Sequence, residues 1–85
     1  MLSPEELSAV RHRLRRVQGQ VGAIVGMLEE GRACGDVVHV LAAATAALNK
    51  TGYLLLNHAM RQCLTDPTST PADLAKLEKL FLELA

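Results

Sequence analysis

The chain has 85 residues, no net charge, 49% hydrophobic residues and two aromatics, Tyr53 and Phe81. That length allows one domain with a small core, marginal unless something reinforces it, and the neutral balance excludes a generic polyanion binder. No apolar run reaches the roughly 18–20 residues of a membrane span. The start, Met-Leu-Ser-Pro-Glu-Glu, has neither a basic segment nor an apolar signal core, so a cytoplasmic protein without a membrane partner is expected.

Ser3-Pro4-Glu5-Glu6 is a helix start, with Ser3 as cap, Pro4 at the first helical position and Glu6 closing a capping box. Leu7, Val10, Leu14, Val17, Val21, Ile24 and Leu28 follow at alternating spacings of three and four. This heptad seam predicts a first helix from about 4 to 30, stopped by Gly31. A second helix is predicted from about 35 to 64, with Gly35 and Gly52 as its weak points. Its middle, Val37 to Leu48, is apolar nearly all round, which calls for cover on several sides. Asp66-Pro67-Thr68-Ser69 breaks the chain. Thr70-Pro71-Ala72-Asp73 starts a third helix, about 71 to 84, through a box expected to be weaker because its acid is Asp. Three helices and so much aliphatic surface in one short chain predict an antiparallel bundle completed by other protomers.

Cys34 and Cys63 bracket the second helix, 29 residues apart, or roughly 43 Å at ~1.5 Å per residue. Neither a disulfide nor a shared metal can span that distance within one straight helix. If two copies of this helix cross antiparallel near Leu48 and Asn49, Cys34 of one chain faces Cys63 of the other, twice over. Cys34 also opens the helix, where the positive end of the helix dipole raises thiol reactivity. The plain alternative is that both cysteines are small buried hydrophobes.

His58 lies five residues before Cys63, about 140° away around the helix at ~100° per residue. A helical ligand pair wants a spacing of three or four, so a surface or packing role is expected. His12 and His39 have no ligand at useful spacing. Arg11 with Arg15, and Arg13 with Arg16, form two basic pairs on different faces, able to track phosphates if repeated in an oligomer. Gly19, Gly22 and Gly26 make a small-residue stripe nearby, and neither long helix forms a helix-turn-helix. The absence of Cys-x-x-Cys, of a βαβ pattern and of an acid–base cluster argues against a thiol oxidoreductase, so no enzyme is expected.

The run Arg13-Leu14-Arg15-Arg16-Val17-Gln18-Gly19-Gln20-Val21 resembles the CsoR/RcnR/FrmR family of bacterial repressors. The resemblance continues through Met27-Leu28-Glu29-Glu30-Gly31-Arg32-x-Cys34-x-Asp36-Val37 and Ala46-Ala47-Leu48 to Arg61-x-Cys63. It implies an all-α fold over a single domain, 1–85. A three-helix protomer would form an antiparallel four-helix-bundle dimer and then a dimer-of-dimers homotetramer. It also implies operator DNA as partner, bound through Arg13, Arg15, Arg16, Gln20 and Lys50. Gly22 stands where many members carry Arg.

Copper-sensing members add a His four residues before the second Cys, and here that place is Ala59. The Tyr that often precedes the first Cys in them is Ala33. A cysteine pair without the histidine is similar to the persulfide-sensing (CstR) branch. The implied function is a repressor released from DNA when Cys34 and Cys63 react with a persulfide or polysulfide donor, with no cofactor and no metal. The alternative is Cu(I) held by the same two thiolates.

Overall fold

The computed structural model describes residues 2–85; Met1, the first residue of the expected 1–85 unit, lies outside them. These residues form three helices, α1 (Pro4–Glu29), α2 (Cys34–Thr65) and α3 (Pro71–Leu84), and no strand. Relative to the expected bounds, α1 stops one residue early and α2 gains one residue at each end.

Local chemistry accounts for the boundaries. Ser3 Oγ accepts from the Glu6 N–H at 3.1 Å, and Glu6 Oε1 accepts from the Ser3 N–H at 3.2 Å. Gly31 takes φ of +71°, which suits glycine because it has no Cβ to clash. The chain then closes a Schellman end, with Gly31 N–H donating to Leu28 O at 3.2 Å and Arg32 N–H to Met27 O at 2.9 Å. At the start of α3 the box expected to be weaker is complete. Asp73 Oδ2 accepts from the Thr70 N–H at 2.9 Å, and Thr70 Oγ1 accepts from the Asp73 N–H at 3.3 Å. The shorter acid reaches back as well as Glu6 does. Only α2 starts without such help, because Ala33 offers no side-chain cap.

Helix α2 packs against both α1 and α3. The three lie as a slab whose Cα extents are 55 × 27 × 13 Å, so the protomer is about one helix layer thick and has no closed core. Val10, Val17, Val37, Ala44 and Leu56 are the buried hydrophobic residues among those described. Thr51, 1% exposed, is the most deeply buried side chain, and its hydroxyl donates to Ala47 O at 3.0 Å, which satisfies it within the helix.

The heptad seam of α1 is split between two surfaces. Val10 and Val17, seven residues apart, are buried against α2, while Leu7, Leu14, Val21 and Leu28 remain exposed. Helix α2 shows the same division, with Val37, Ala44 and Thr51 buried and Val38, Leu41 and Leu48 about half exposed. Leu48 shares a groove with Leu7 and Leu14, so the open positions of both helices form one apolar face. The apolar middle of α2 therefore lacks, within the protomer, the all-round cover its composition calls for. The accessible surface is 6400 Å², whereas a compact monomer of this mass exposes about 4900 Å². The surplus, about 1500 Å² on one protomer, is about twice the area that each partner contributes to a standard protein interface.

Candidate functional site

Helix α2 runs unbroken from Cys34 to Thr65, so the two thiols sit in its first and last turns. Both are free; Cys34 is exposed and Cys63 part-buried. No three His, Cys, Asp or Glu side chains converge on a possible metal position among the described residues. Within one protomer the donors therefore fit neither a metal nor a bridge. A two-thiol site forms only if a second chain brings its opposite end alongside.

The histidine next in line is turned elsewhere. His58 Nδ1 lies 2.5 Å from Glu6 Oε2, and its side chain is 21% exposed. This is the packing role its spacing predicts, with a partner on α1 that the sequence reading missed. Glu6 is tied twice, through Oε2 to His58 and through Oε1 to the cap of α1. Hydrogen bonds from the side chain and backbone of Ser3 hold its carboxyl below the usual carboxylate range, and the nearby His58 and Arg61 add to this. Ala59, one turn before Cys63, lies in an apolar hollow of about 400 Å³ with Leu77, Leu80 and Leu84 of α3. Its methyl group offers no donor.

On the basic side, the structure gathers four of the five residues expected to meet DNA. Arg13, Arg16 and Gln20 of α1 line one groove of about 310 Å³ with Lys50 of α2. Its floor is Ala43, Ala46 and Ala47, small enough to leave the polar ends reachable. Gln20 Oε1 is buried with no hydrogen-bond partner among the described residues. Arg13 and Lys50 also rim the neighbouring hollow of about 540 Å³, which reaches Tyr53 and Phe81; the two rings sit 5.6 Å apart and help seat α3 on α2. Arg15 is not in this groove. It lies with Arg11 beside Leu14 and Leu48, along the open apolar face. Three cations and an amide along one groove are suited to phosphate oxygens, and Arg15 is placed to meet a different surface.

Residues 6–83 match the family described as metal-sensitive transcriptional repressors. The chain belongs to that family. It is similar to the copper-sensing transcriptional repressor RicR of Mycobacterium tuberculosis (strain ATCC 25618 / H37Rv), with 43% identity over 53 residues, 62% of this chain and 55% of that protein. It is also similar to the copper-sensing transcriptional repressor CsoR of Bacillus subtilis (strain 168), with 33% identity over 64 residues, 75% of this chain and 63% of that protein. The matched segments thus span less than two thirds of either relative. Among solved structures, the nickel-responsive transcriptional regulator InrS superposes with a TM-score of 0.81 at 27% identity, covering 100% of this chain and 99% of that one. The family's three-helix fold is therefore shared over the whole chain. No helix among the described residues is long and apolar enough to cross a membrane.

Proposed function

We propose that the protein is a DNA-binding transcriptional repressor whose inducer is captured between Cys34 of one protomer and Cys63 of another. The observation that carries this reading is a coincidence of centres. Among the exposed leucines of α2, Leu41, Leu48 and Leu55 recur every seven residues on one stripe, and the middle one, Leu48, lies at the midpoint of the span from Cys34 to Cys63. Two copies of α2 crossing antiparallel on that face would cover the leucines and bring the thiols together at both ends. The surplus accessible surface supports the same association. A dimer built so, paired again into a tetramer, would repeat the groove of Arg13, Arg16, Gln20 and Lys50 and let it track operator phosphates. Arg15, on the apolar face, would then serve DNA or the subunit contact.

Two inducers fit a pair of thiols, each on its own observation. Reactive sulfur is favoured by the donor set, because Ala59 supplies no third ligand and His58 is engaged by Glu6. A polysulfide donor would bridge the thiols as part of its sulfur leaves as sulfide. Cu(I) is favoured by family membership and by the two copper-sensing relatives, and two thiolates suffice for a linear Cu(I) site.

The test is operator release measured with the duplex upstream of the protein's own operon. Sodium tetrasulfide is compared with Cu(I), and intact mass reads crosslinked chains. A covalent dimer formed together with release assigns reactive sulfur. Stoichiometric Cu(I) binding with release, and no crosslink, assigns copper. Cys34→Ser should bind DNA as the parent does and lose the response to both. Release of DNA from that variant would sink the intersubunit thiol site.

A further inference from the structure

The buried side chains of α1 and α2 are mostly small: Val10 and Val17 on one, Val37, Ala44 and Thr51 with the larger Leu56 on the other. Such a surface sets the register of the two helices by shape, and it carries no directional contact between them. Among the described residues, His58–Glu6 is the one polar side-chain contact that joins two helices. Every other side-chain hydrogen bond lies within four residues of sequence, and the other ion pair, Arg32–Asp36, is an i,i+4 contact. A short, directional contact between a ring nitrogen and a carboxylate does fix a distance.

Its position is what gives it a use. His58 precedes Cys63 by five residues, about 7.5 Å along α2, and Glu6 precedes Arg13 by seven, about 10 Å along α1, at ~1.5 Å per residue. A path from the thiol to the α1 side of the basic groove therefore runs up the end of α2, across this contact and along two turns of α1, while Lys50 completes the groove from α2 itself. Glu6 is not a loose end, because its other oxygen closes the capping box with Ser3. Whatever moves the carboxylate moves the first turn of α1 with it.

Building on the thiol-sensing repressor reading, we infer that His58 and Glu6 are a positioning pair. They clamp α1 to the Cys63 end of α2, so that a displacement of that end on inducer capture carries α1, with Arg13, Arg16 and Gln20, relative to Lys50. The clamp holds in both states and touches neither inducer nor DNA. Without it, the Cys63 end of α2 can move without carrying the first turn of α1, and the groove responds less.

The experiment compares the full-length parent with Glu6→Gln, His58→Gln and His58→Lys. Three quantities are read for each: operator affinity without inducer, loading of the thiols by sodium tetrasulfide (intact mass) or Cu(I) (competition with a chromophoric chelator), and operator affinity after loading. In His58→Gln, inducer-free affinity should stay within about twofold of the parent and loading should be complete. The inducer-dependent loss of affinity, roughly 5- to 150-fold for ordinary couplings, should shrink to less than about threefold. His58→Lys, which keeps a nitrogen donor facing Glu6, should recover most of the response. A merely structural histidine would not show this split, because lost packing lowers inducer-free affinity and is not rescued by lysine. Full release from loaded His58→Gln would overturn the clamp. So would an inducer-free affinity that falls by as much as the response shrinks, since the contact would then only stabilise the DNA-binding state. If the parent itself neither loads nor releases, the sensing reading fails and takes the clamp with it, which is distinct from a parent that responds beside variants that do so equally.

Discussion

The two ends of α2 carry the same functional group in unlike settings. At the Cys34 end the thiol is exposed, the helix starts on Ala33 with no side-chain cap, and the nearest ion pair, Arg32–Asp36, is a solvent-exposed contact at 3.7 Å, of a kind that contributes little. The half of α2 that ends in Cys63 is braced on two sides. His58 meets Glu6 of α1, and α3 seats against Gly52 and Tyr53. A thiol on a braced end can pass a displacement to the rest of the protomer, while one on a lightly held end can shift to meet a partner. In the proposed intersubunit site, Cys34 would then be the group that approaches and Cys63 the group that transmits.

That contrast can be broken first by loosening the braced half. A Cβ at Gly52 would stand 3.1 and 3.3 Å from the two terminal carbons of Leu84, so Gly52→Val should push α3 away. The expected loss is about 1–3 kcal/mol in denaturant unfolding, the usual cost of overpacking. A variant as stable as the parent would show that α3 does not brace this end. The next largest effect should come from tightening the other end. Ala33→Ser supplies the cap that α2 lacks and should add about 1 kcal/mol, read in the same unfolding experiment. No gain would mean that a neighbouring protomer already satisfies those N–H groups. The smallest effect is kinetic. With inducer-free protein and iodoacetamide, peptide mass mapping should find Cys34 alkylated several-fold faster than Cys63, following exposure. Equal rates would mean that a partner covers Cys34 in the assembly as fully as Cys63 is covered in the protomer.

Much of the site was legible before any coordinates. The spacing of Cys34 and Cys63 already ruled out a meeting within one chain, because helix rise is a property of the backbone alone. The misfit of His58 followed from angular arithmetic, but its partner did not. Glu6 lies 52 residues away in sequence, and only the register of the α1–α2 hairpin brings the two together. The basic residues were legible as types and pairs. That Arg13, Arg16 and Gln20 share a groove with Lys50 while Arg15 lies on the apolar face depends on which side of α1 turns to α2. The heptad pattern named the apolar positions without saying which half would be filled by the same chain. Periodicity reports that a face is apolar, not what covers it.

By itself, the sequence determined three helices, with ends placed to within a residue, since capping boxes, a positive-φ glycine and proline breaks act over a few residues and need no distant partner. It also determined that the thiols would lie at opposite ends of one rod. Tertiary structure alone decided that half of each seam stays open around Leu48, that a groove of mixed origin gathers the cations, and that His58 ties the Cys63 end of α2 to α1. Those outcomes rest on side-chain volumes fixing a hairpin register, a choice made by the whole interface at once and therefore invisible in any short stretch of sequence.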